Sequence, residues 1–412
     1  KGINEKIWSR IFTKFDKGIG ETIYKNALEN FLGISNRNNE YTIKDVIEEV
    51  IDYRGKTPKK LGGDWSEEKT EYMALSAKNI KKGRIVQPDT IRYVDQEMYN
   101  KWMKQEVERG TILITSEAPF GELLYWDSDE KIVLSQRLFG LKIKKEFNSR
   151  YIYYYMFSEQ FQGELSGRAT GSTVTGLRQP ELLKCHLKIP NRKYQDIIAN
   201  ILMNIDKKID LNSEINNNLY EETVVLYKAK FAGVEQGNKT VGEYIIPKRG
   251  KNLLTRDAIE GSIPVVAGGI EPSAYHNQFN THFPVITISA SGANAGYTNL
   301  WSTPIWASDC SYIDDSVTKN VYFWYVALKT RQQEIYDAQT GSAQAHIYPR
   351  HIADMPIAEL NIDEVRNYNM LVEPLFKKIG ENKKENEQLS QLRNTLLPKL
   401  MNGEIDLDSI EI

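Results

Sequence analysis

Cysteine is scarce in this chain, with two residues of this type, Cys185 and Cys310, among 412. Two thiols cannot supply a disulfide framework or a four-ligand zinc cluster, and buried free thiols are the ordinary expectation. Long apolar runs are missing too, and so is a secretory leader. We therefore expect a soluble, cytoplasmic protein with no membrane partner.

The motifs that carry catalysis are also missing. The sequence has no Gly-x-x-x-x-Gly-Lys-Ser/Thr loop and no Gly-x-Gly-x-x-Gly after a predicted strand. The run Ser116–Phe120 superficially resembles a methyltransferase Asn-Pro-Pro-Tyr loop, but it lacks the Asn and one Pro. His346 and His351 have no carboxylate at ligand spacing, which favours surface or core histidines over metal ligands. We therefore predict no catalytic residue, no metal and no cofactor on this chain.

Charge of one sign is not in excess. The 53 Lys and Arg residues against 55 Asp and Glu leave a net charge of −2. Any footprint for a polyanion therefore has to be local. The 41% apolar content is sufficient for ordinary packed cores, and a chain of 412 residues should form two or more domains.

A long helix is the clearest element in the sequence. Between 191 and 235 apolar residues recur every seven positions, and no proline follows Pro190 there. Such a seam with polar flanks predicts a helix that pairs with another helix. The positions that we take as heptad position a are Ile198, Ile205, Asn212, Leu219 and Leu226, with Ile201 and Ile215 at position d.

The partner helix lies in the same chain, because the sequence repeats with an offset of 170 residues. A gapless match of this kind indicates an internal duplication. Pro374 and Gly380 lie inside the second helix, and we expect a kink or a late start near Pro374. The offset carries the heptad onto Tyr368, Leu375, Asn382, Leu389 and Leu396.

The repeat divides the chain into five segments. Short β-rich runs separated by Gly, Asp and Ser predict two domains, each followed by a short helix, Tyr151–Phe161 or Val321–Tyr336. The predicted fold class is α+β, with two strand-rich domains separated by two long antiparallel coiled-coil helices in a pseudo-two-fold internal repeat. The segments are an N-terminal helical segment (1–40), a first domain (41–190), a central long helix (191–235), a second domain (236–360), and a distal long helix with its tail (361–412).

Basic residues cluster on predicted turns of both domains. Lys and Arg on turns suit contacts with phosphate groups, although a solvated charged turn is the plain alternative. An Arg-Gly-Lys triplet recurs at 54–56 and 249–251, which favours the phosphate interpretation. The candidates are Arg54, Lys56, Lys59, Lys60, Lys78, Lys81, Lys82 and Arg84 in the first domain, and Lys248, Arg249, Lys251 and Asn252 in the second.

Each domain also contains a Thr-Gly-Ser loop that ends near an arginine. Small residues permit a close approach of the backbone to a ligand, and their N–H and hydroxyl groups can hold phosphates or contact base edges. A turn needed only for packing is the alternative. The candidates are Arg168, Thr170, Ser172, Thr173 and Arg178 in the first loop, and Thr340, Ser342, Gln344 and Arg350 in the second.

The C-terminal run from Leu396 to Ile405, Leu-Leu-Pro-Lys-Leu-Met-Asn-Gly-Glu-Ile, completes a family resemblance. Together with the duplicated order and the Thr-Gly-Ser loops, it resembles the specificity subunit of Type I restriction–modification systems, from about Tyr41 onward. The resemblance implies a non-catalytic DNA-binding subunit whose domains each read one half of a bipartite double-stranded site. The helices would set the spacing and dock two modification (methyltransferase) subunits.

The same resemblance implies further partners and places the cofactors on them. Restriction (endonuclease and translocase) subunits would join the complex, and S-adenosylmethionine, ATP and Mg would be bound by the partner subunits. The long segment before Tyr41 departs from the family's usual short start.

Two other classes stay open on the residues alone. The near-zero net charge also suits a coiled-coil scaffold that displays two protein- or glycan-binding β-rich domains. A self-sufficient DNA methyltransferase is the third hypothesis, and the absence of an S-adenosylmethionine-binding motif argues against it.

The length of the helices suggests a ruler. About 40 residues at ~1.5 Å each give a rod of roughly 60 Å, which exceeds one DNA turn of about 34–36 Å. An antiparallel pair would bring Asn212 and Asn382 to the centre of the seam, where their amides can hydrogen-bond and fix the register. The alternative is that both face solvent.

Overall fold

The computed structural model describes residues 39–170, 175–341, 345–405 and 407. The predicted N-terminal helical segment therefore lies almost wholly outside the described residues. The same holds for four candidate contact residues, Ser172, Thr173, Ser342 and Gln344.

Two compact units divide the chain. The first combines residues 1–207 with 389–412, and the second comprises residues 208–388. Each unit holds one strand-rich domain and part of each long helix, because both boundaries fall inside the helices. We call the strand-rich parts domain 1 (residues 39–190) and domain 2 (residues 236–360).

Domain 1 consists of short strands and short helices. The strands are β1 Asn39–Thr42, β2 Ile47–Asp52, β3 Tyr72–Leu75, β4 Ile80–Lys81, β5 Arg84–Ile85, β6 Arg92–Val94, β7 Ile112–Thr115, β8 Leu123–Tyr125, β9 Ile132–Leu134, β10 Leu138–Ile143 and β11 His186–Ile189. The helices are α1 Ile43–Val46, α2 Gln96–Trp102, α3 Ser149–Tyr155, α4 Glu159–Gly167 and α5 Gln179–Leu182.

The sheets of domain 1 enclose two apolar cores. A four-stranded antiparallel sheet has the order β2-β10-β7-β8, and a three-stranded sheet has the order β6-β3-β9 with β3 parallel to β9. Strands β1 and β11 pair, as do β4 and β5. Every residue of β7 and β9 is buried, which explains why these segments are continuous apolar runs rather than alternating ones.

Domain 2 also consists of short strands and short helices. Its strands are β12 Lys239–Thr240, β13 Lys248–Arg249, β14 Ile263–Val266, β15 Ala274–His276, β16 Val285–Ser289, β17 Thr298–Trp301, β18 Trp306–Ala307, β19 Cys310–Ile313 and β20 Pro356–Ile357. Its helices are α7 Val321–Thr330, α8 Gln332–Asp337 and α9 Pro349–Ala353.

Domain 2 repeats the main sheets of domain 1 strand for strand. The four-stranded order β13-β19-β16-β17 matches β2-β10-β7-β8, and β15-β14-β18 matches β6-β3-β9. The parallel pair recurs as β14 with β18, and the terminal pair as β12 with β20. The domain interiors match poorly in sequence, so this agreement of topology is visible only in the structure.

Each predicted short helix is broken into two. The segment Tyr151–Phe161 falls on α3 and the start of α4, because the Ser158 side chain accepts a backbone N–H and caps a new helix. The segment Val321–Tyr336 falls on α7 and α8. Arg331 separates these two helices, and its guanidinium donates to the carbonyl of Pro356 at 2.8 Å.

The two long helices are α6 Arg192–Lys230 and α10 Ile362–Met401. Helix α10 runs without interruption through Pro374, so the predicted late start there is wrong. Pro374 is exposed, and the carbonyl that it frees belongs to Met370, which is also exposed and can bond to water. Neither long helix, nor any other helix in the described ranges, is apolar over a membrane-spanning length.

The buried seam of α6 keeps the seven-residue period, but the residues buried between the predicted a positions are not the predicted d residues. The predicted d residues Ile201 and Ile215 are only half-buried. The residues buried between the predicted a positions come four residues after them instead of three, so the predicted a positions are the d positions of the heptad. These buried residues include Leu202, Ile209 and Thr223.

The helices run antiparallel within each unit. In the first unit Arg393 of α10 donates to the carboxylate of Asp206 in α6 at 2.8 Å. In the second unit the Tyr368 hydroxyl of α10 donates to the carbonyl of Thr223 in α6 at 2.8 Å. In the second unit Asn212 of α6 also meets Asn386 of α10, so the partner residue moves backward along α10 as α6 advances to Thr223, which fixes the direction.

Asn212 and Asn382 are buried in the seam, 1% and 2% exposed, so the solvent-facing alternative is wrong. The predicted bond between them is replaced by two equivalent ones. Nδ2 of Asn212 donates to Oδ1 of Asn386 at 2.9 Å, and Nδ2 of Asn382 donates to Oδ1 of Asn216 at 2.9 Å. The 170-residue offset exchanges these two bonds, so the repeat is reproduced in the contacts themselves.

Candidate nucleic-acid interface

Both Thr-Gly-Ser loops are closed at their base by backbone hydrogen bonds. Thr170 and Gly176 exchange N–H···O bonds of 3.0 and 2.9 Å in domain 1. Thr340 and His346 do the same in domain 2, also at 3.0 and 2.9 Å. The loops therefore have equal length and begin at equivalent positions, and both threonines are exposed.

The residue that follows each loop is anchored to a strand end. The N–H of Leu177 donates to the carbonyl of Ser116 at 2.9 Å, and the N–H of Ile347 donates to the carbonyl of Ala290 at 2.9 Å. Both anchored side chains are buried. The loops are consequently held by the ends of β7 and β16, the central strands of the two four-stranded sheets.

Tyr348 is a candidate that sequence reasoning missed. It follows the anchored residue of domain 2 as Arg178 follows that of domain 1, whereas Arg350 lies within α9. Both Arg178 and Tyr348 are exposed, and the Tyr348 ring stacks on the His346 ring with centroids 6.0 Å apart. The 170-residue offset itself could have found Tyr348, since it maps 178 onto 348.

Arg54 is held inside domain 1. Its guanidinium donates to the carboxylate of Asp52 at 2.8 and 2.9 Å and to the carbonyl of Leu177 at 3.2 Å. It also lies 3.8 Å from the ring centroid of Phe139. These contacts occupy the side chain, so the structure favours a stabilising role for Arg54 over a phosphate contact.

The two Arg-Gly-Lys triplets are not equivalent in structure. Strand pairing aligns Arg249 with Asp52 rather than with Arg54. The glycines differ as well: Gly55 has a φ of 95°, in the left-handed region, whereas a side chain at Gly250 would clash with the backbone oxygen of Ser308. The recurrence of the triplet therefore gives no support to the phosphate interpretation.

The other lysines of the first basic cluster lie on the turn after β2. Lys56 donates to the carbonyl of Trp102 at 3.3 Å and is half-buried. Lys60 donates to the carbonyl of Gly55 at 2.7 Å but is exposed, as is Lys59. Only part of this cluster therefore offers cations to a ligand.

The second basic cluster lies on and before the β4–β5 hairpin. Lys81, Lys82 and Arg84 are exposed there, and Lys78 is exposed on the turn before β4. Lys82 has a φ of 49°, and its N–H donates to the Glu122 carboxylate at 2.6 Å. The hairpin is thus fixed to the rest of domain 1 and presents its basic residues at the surface.

The basic residues of domain 2 are exposed and lie on or after β13. Nζ of Lys248 donates to the Ser316 hydroxyl at 2.7 Å, and the Arg249 guanidinium pairs with Asp309 at 2.5 Å. The remaining candidates of this group, both exposed, are Lys251 and Asn252.

Arg168 belongs to an ion-pair cluster at the end of α4. It donates to Glu164 at 2.8 and 3.0 Å and lies 3.7 Å from Glu181. Burial alone would raise the pKa of Glu164. Hydrogen bonds from His186 and Arg168 outweigh burial and keep this pKa below its ordinary value. Arg168 is therefore neutralised locally and is a weaker candidate for DNA contact than Arg178.

A recess of about 330 Å³ opens on domain 1. Sequence reasoning named only one of its polar lining residues, Lys78. The others come from four separate segments, so no local pattern in the sequence could have grouped them. The polar and aromatic side chains that line it include Trp65, Lys78, Arg92, Gln136 and Arg137.

Cys185 and Cys310 are buried free thiols. Burial raises the pKa of both to about 12. Thiolate chemistry at these residues is therefore excluded near neutral pH.

Comparison with known proteins finds a family whose members this chain resembles. Residues 36–221 match the sequence profile described as Type I restriction modification DNA specificity domain. This range covers domain 1 and most of α6.

Relatives matched over most of their length and a solved structure agree with the profile. A Mycoplasma genitalium protein named as a type I specificity subunit is 25% identical over 276 residues, which are 62% of this chain and 71% of that protein. The specificity subunit of the type I restriction enzyme MjaIX from Methanocaldococcus jannaschii is 23% identical over 343 residues, or 73% of this chain and 79% of its own. The crystal structure of an M. genitalium Type I restriction–modification S subunit has the same fold, with a TM-score of 0.52 at 21% identity over 90% of this chain and 98% of that one.

Residues 36–221 therefore resemble a DNA specificity domain, and the structure repeats the sheet topology of this domain in domain 2. Over 62–73% of its length the chain is similar to specificity subunits of Type I restriction–modification systems, and it has the fold of one of them. None of these matches favours a scaffold for protein or glycan ligands.

Proposed function

We propose that domains 1 and 2 each read one half of a bipartite double-stranded DNA site and that α6 and α10 set the number of unread base pairs between the halves. The observation that carries the proposal is the repetition of one sheet topology in both domains. Two domains with the same fold can bind two half-sites in the same orientation. Contacts with the DNA backbone position each domain, and loop side chains then select the bases.

The loop side chains support two different half-sites. Equivalent positions carry Gly176 and Arg178 in domain 1 but His346 and Tyr348 in domain 2. Arginine is the usual reader of guanine in the major groove, whereas an aromatic ring contacts thymine methyl groups or stacks. Different bases would therefore be selected by the two domains.

The partner subunits belong to the same proposal. Two modification (methyltransferase) subunits would dock on the long helices, restriction (endonuclease and translocase) subunits would join them, and S-adenosylmethionine, ATP and Mg would be held by these partners. Exposed apolar side chains on the helices support docking, since a partner would remove them from water. They include Leu211, Val225, Met370 and Leu371.

A domain exchange tests the proposal. Residues 41–190 are replaced by the first domain of a related specificity subunit, and methylated adenines are mapped in a genome that expresses the complex. We expect one half of the recognised sequence to change while the other half and the spacing stay the same.

Two outcomes of the exchange would contradict the proposal. A change in both halves would mean that the domains do not read independently, and no change would mean that domain 1 reads nothing. The matched control is an exchange of residues 236–360, which should alter only the other half. The wild-type complex must also bind DNA with a clear dependence on salt, and a complex that does not would remove the basis of the whole proposal.

A further inference from the structure

The recess of domain 1 has the construction of a phosphate-binding site. We propose that it binds one sugar–phosphate unit of the DNA backbone, with Lys78, Arg92 and Arg137 as the phosphate ligands. This inference rests on the proposed function and goes beyond it, because it locates the backbone contact of one reader and assigns none to the equivalent place in the other.

The recess lies where two parallel strands end. Strands β3 and β9 run parallel, and the residues that follow them, Ser76 and Ser135, both line the recess. Ligands commonly bind beyond the carboxyl ends of parallel strands. The floor is made of small buried residues, Ala74 and Ala77 with Ser135, which leave room for a group to approach the backbone.

The lining carries positive charge without carboxylates among the described residues that form it. Lys78 and Arg92 are exposed, and the Arg92 guanidinium lies 5.3 Å from the ring centroid of Trp65. Arg137 pairs with Glu117 at 2.9 Å outside the lining and is 47% exposed. Two guanidinium groups and an ammonium suit a phosphate, and the indole ring offers an apolar wall to the sugar.

The recess is preorganised by a buried amide. The Asn79 side chain accepts hydrogen bonds from the hydroxyl and the N–H of Ser76 at 2.7 and 3.2 Å. Its Nδ2 donates to the Thr90 hydroxyl at 3.0 Å, so Asn79 joins the floor to one wall. Arg137 has a φ of 67°, and strained backbone of this kind is retained where surrounding structure fixes a functional side chain.

The position in domain 2 that is equivalent to Arg137 carries an acidic residue. The N–H of Ser116 donates to the carbonyl of Arg137, and the N–H of Ala290 donates to that of Asp309, so Arg137 and Asp309 are equivalent. Asp309 pairs with Arg249 at 2.5 Å. The two readers therefore differ in charge at this point, and the recess assigns this backbone contact to domain 1 alone.

The test is the salt dependence of DNA binding by the complex of the full chain with its modification partner. In Lys78→Gln/Arg92→Gln, we expect weaker binding to every DNA sequence. We also expect the slope of log K against log salt to be smaller by about 0.9, the value for one lost phosphate contact. Arg137 is left unchanged, because its ion pair with Glu117 gives it a second role in the domain.

Two control variants separate the recess from general charge. Gln136→Ala changes the lining without removing charge and should leave the slope as in the wild type. Lys145→Gln removes an exposed charge of domain 1 outside the recess and should also leave the slope unchanged. The inference is overturned if the double variant keeps the wild-type slope. It is also overturned if Lys145→Gln reduces the slope as much as the double variant does. Equal melting temperatures establish that the variants are folded.

A second measurement distinguishes the DNA backbone from a free nucleotide. The wild type and the double variant are titrated with deoxyadenosine monophosphate by calorimetry in the absence of DNA. Tight binding that only the wild type shows, combined with an unchanged salt slope, would assign the recess to a free nucleotide and overturn the inference. Absence of DNA binding by the wild-type complex would instead contradict the proposed function itself.

Discussion

At the scale of single residues, burial decides what a basic side chain does. The predicted basic clusters were defined by sequence position, but the structure separates exposed cations such as Lys59 from Arg54, which is engaged by Asp52 and Leu177. Sequence shows which residues are charged. It does not show which charges are already neutralised, because their partners are distant in sequence.

Replacing Arg54 should therefore reduce stability rather than DNA affinity. In Arg54→Ala, the carboxylate of Asp52 loses a bidentate partner and the carbonyl of Leu177 loses a donor. We expect a loss of about 1–3 kcal/mol of unfolding free energy. Urea unfolding measures this loss, with Lys59→Ala as the exposed control. A smaller salt slope in DNA binding at unchanged stability would contradict the stabilising role.

Lys329 gives a pH dependence to the stability of the second unit. Its Nζ donates to the carbonyl of Thr298 at 2.9 Å, and burial, with the Lys383 ammonium nearby, lowers its pKa to about 8. Between this value and the ordinary lysine pKa of about 10.4, the unfolded chain binds a proton that the folded chain does not. The unfolding free energy should therefore rise with pH in this window.

The measurement compares urea unfolding of the wild type and Lys329→Met from about pH 7.5 to about pH 9.5, below the titration of ordinary tyrosines. The difference between the two curves isolates Lys329. The wild type should gain stability relative to the variant as the pH rises. Parallel curves would show that Lys329 titrates as an ordinary surface lysine.

At the scale of elements, the helices were predicted well and the seam between them less well. The seven-residue period and the offset predicted α6 and α10, but not which of two neighbouring lines is buried. Successive buried positions of a heptad are separated by alternating steps of three and four residues. Because Ile201 and Ile215 are apolar, the sequence is compatible with both possible assignments of positions a and d. Only the pairing in the structure, through Asn212 and Asn382, selects the phase.

The asparagine pairs should determine the register of the helices. Asn212→Leu alone leaves Oδ1 of the half-buried Asn386 without its amide donor, which costs up to about 3 kcal/mol. Replacing Asn212, Asn386, Asn382 and Asn216 together by Leu removes both pairs, so stability should be equal or higher. Register would then be less well defined, and the complex should accept DNA sites with altered spacing.

Binding to a series of DNA duplexes with different numbers of unread base pairs measures that tolerance. The single variant, which keeps one complete pair, should retain the wild-type spacing despite its lower stability. If the fourfold variant binds only the wild-type spacing, the asparagines do not set the register.

At the scale of the whole molecule, the order of domain and helix could be predicted, but the sheets inside the domains could not. The helices repeat a simple period and are constrained along their whole length. In the domains, strands of two to six residues are buried by contacts across the sequence, and many different residues satisfy the same topology. The recess is the extreme case, since its residues come from several segments that are distant in sequence.

The division into units predicts that removing the end of the chain damages its beginning. Leu400, Met401 and Leu407 are buried in the core of the first unit, with Ile197 and Leu202. Each buried apolar side chain contributes about 1.5–3 kcal/mol. A chain that ends at Gln388 should therefore lose hydrogen-exchange protection in domain 1 and keep it in domain 2. Loss of protection confined to domain 2 would contradict the division.

This division also has a consequence for synthesis on the ribosome. Domain 1 leaves the ribosome first, yet the core beneath it stays open until the segment from Leu389 onward has emerged, after the whole of domain 2. Domain 2 and its helix segments, in contrast, are contiguous and can close as they appear. During translation, domain 1 is therefore incompletely folded and exposes apolar surface. A chaperone or a modification subunit that binds at this stage would protect domain 1 in particular.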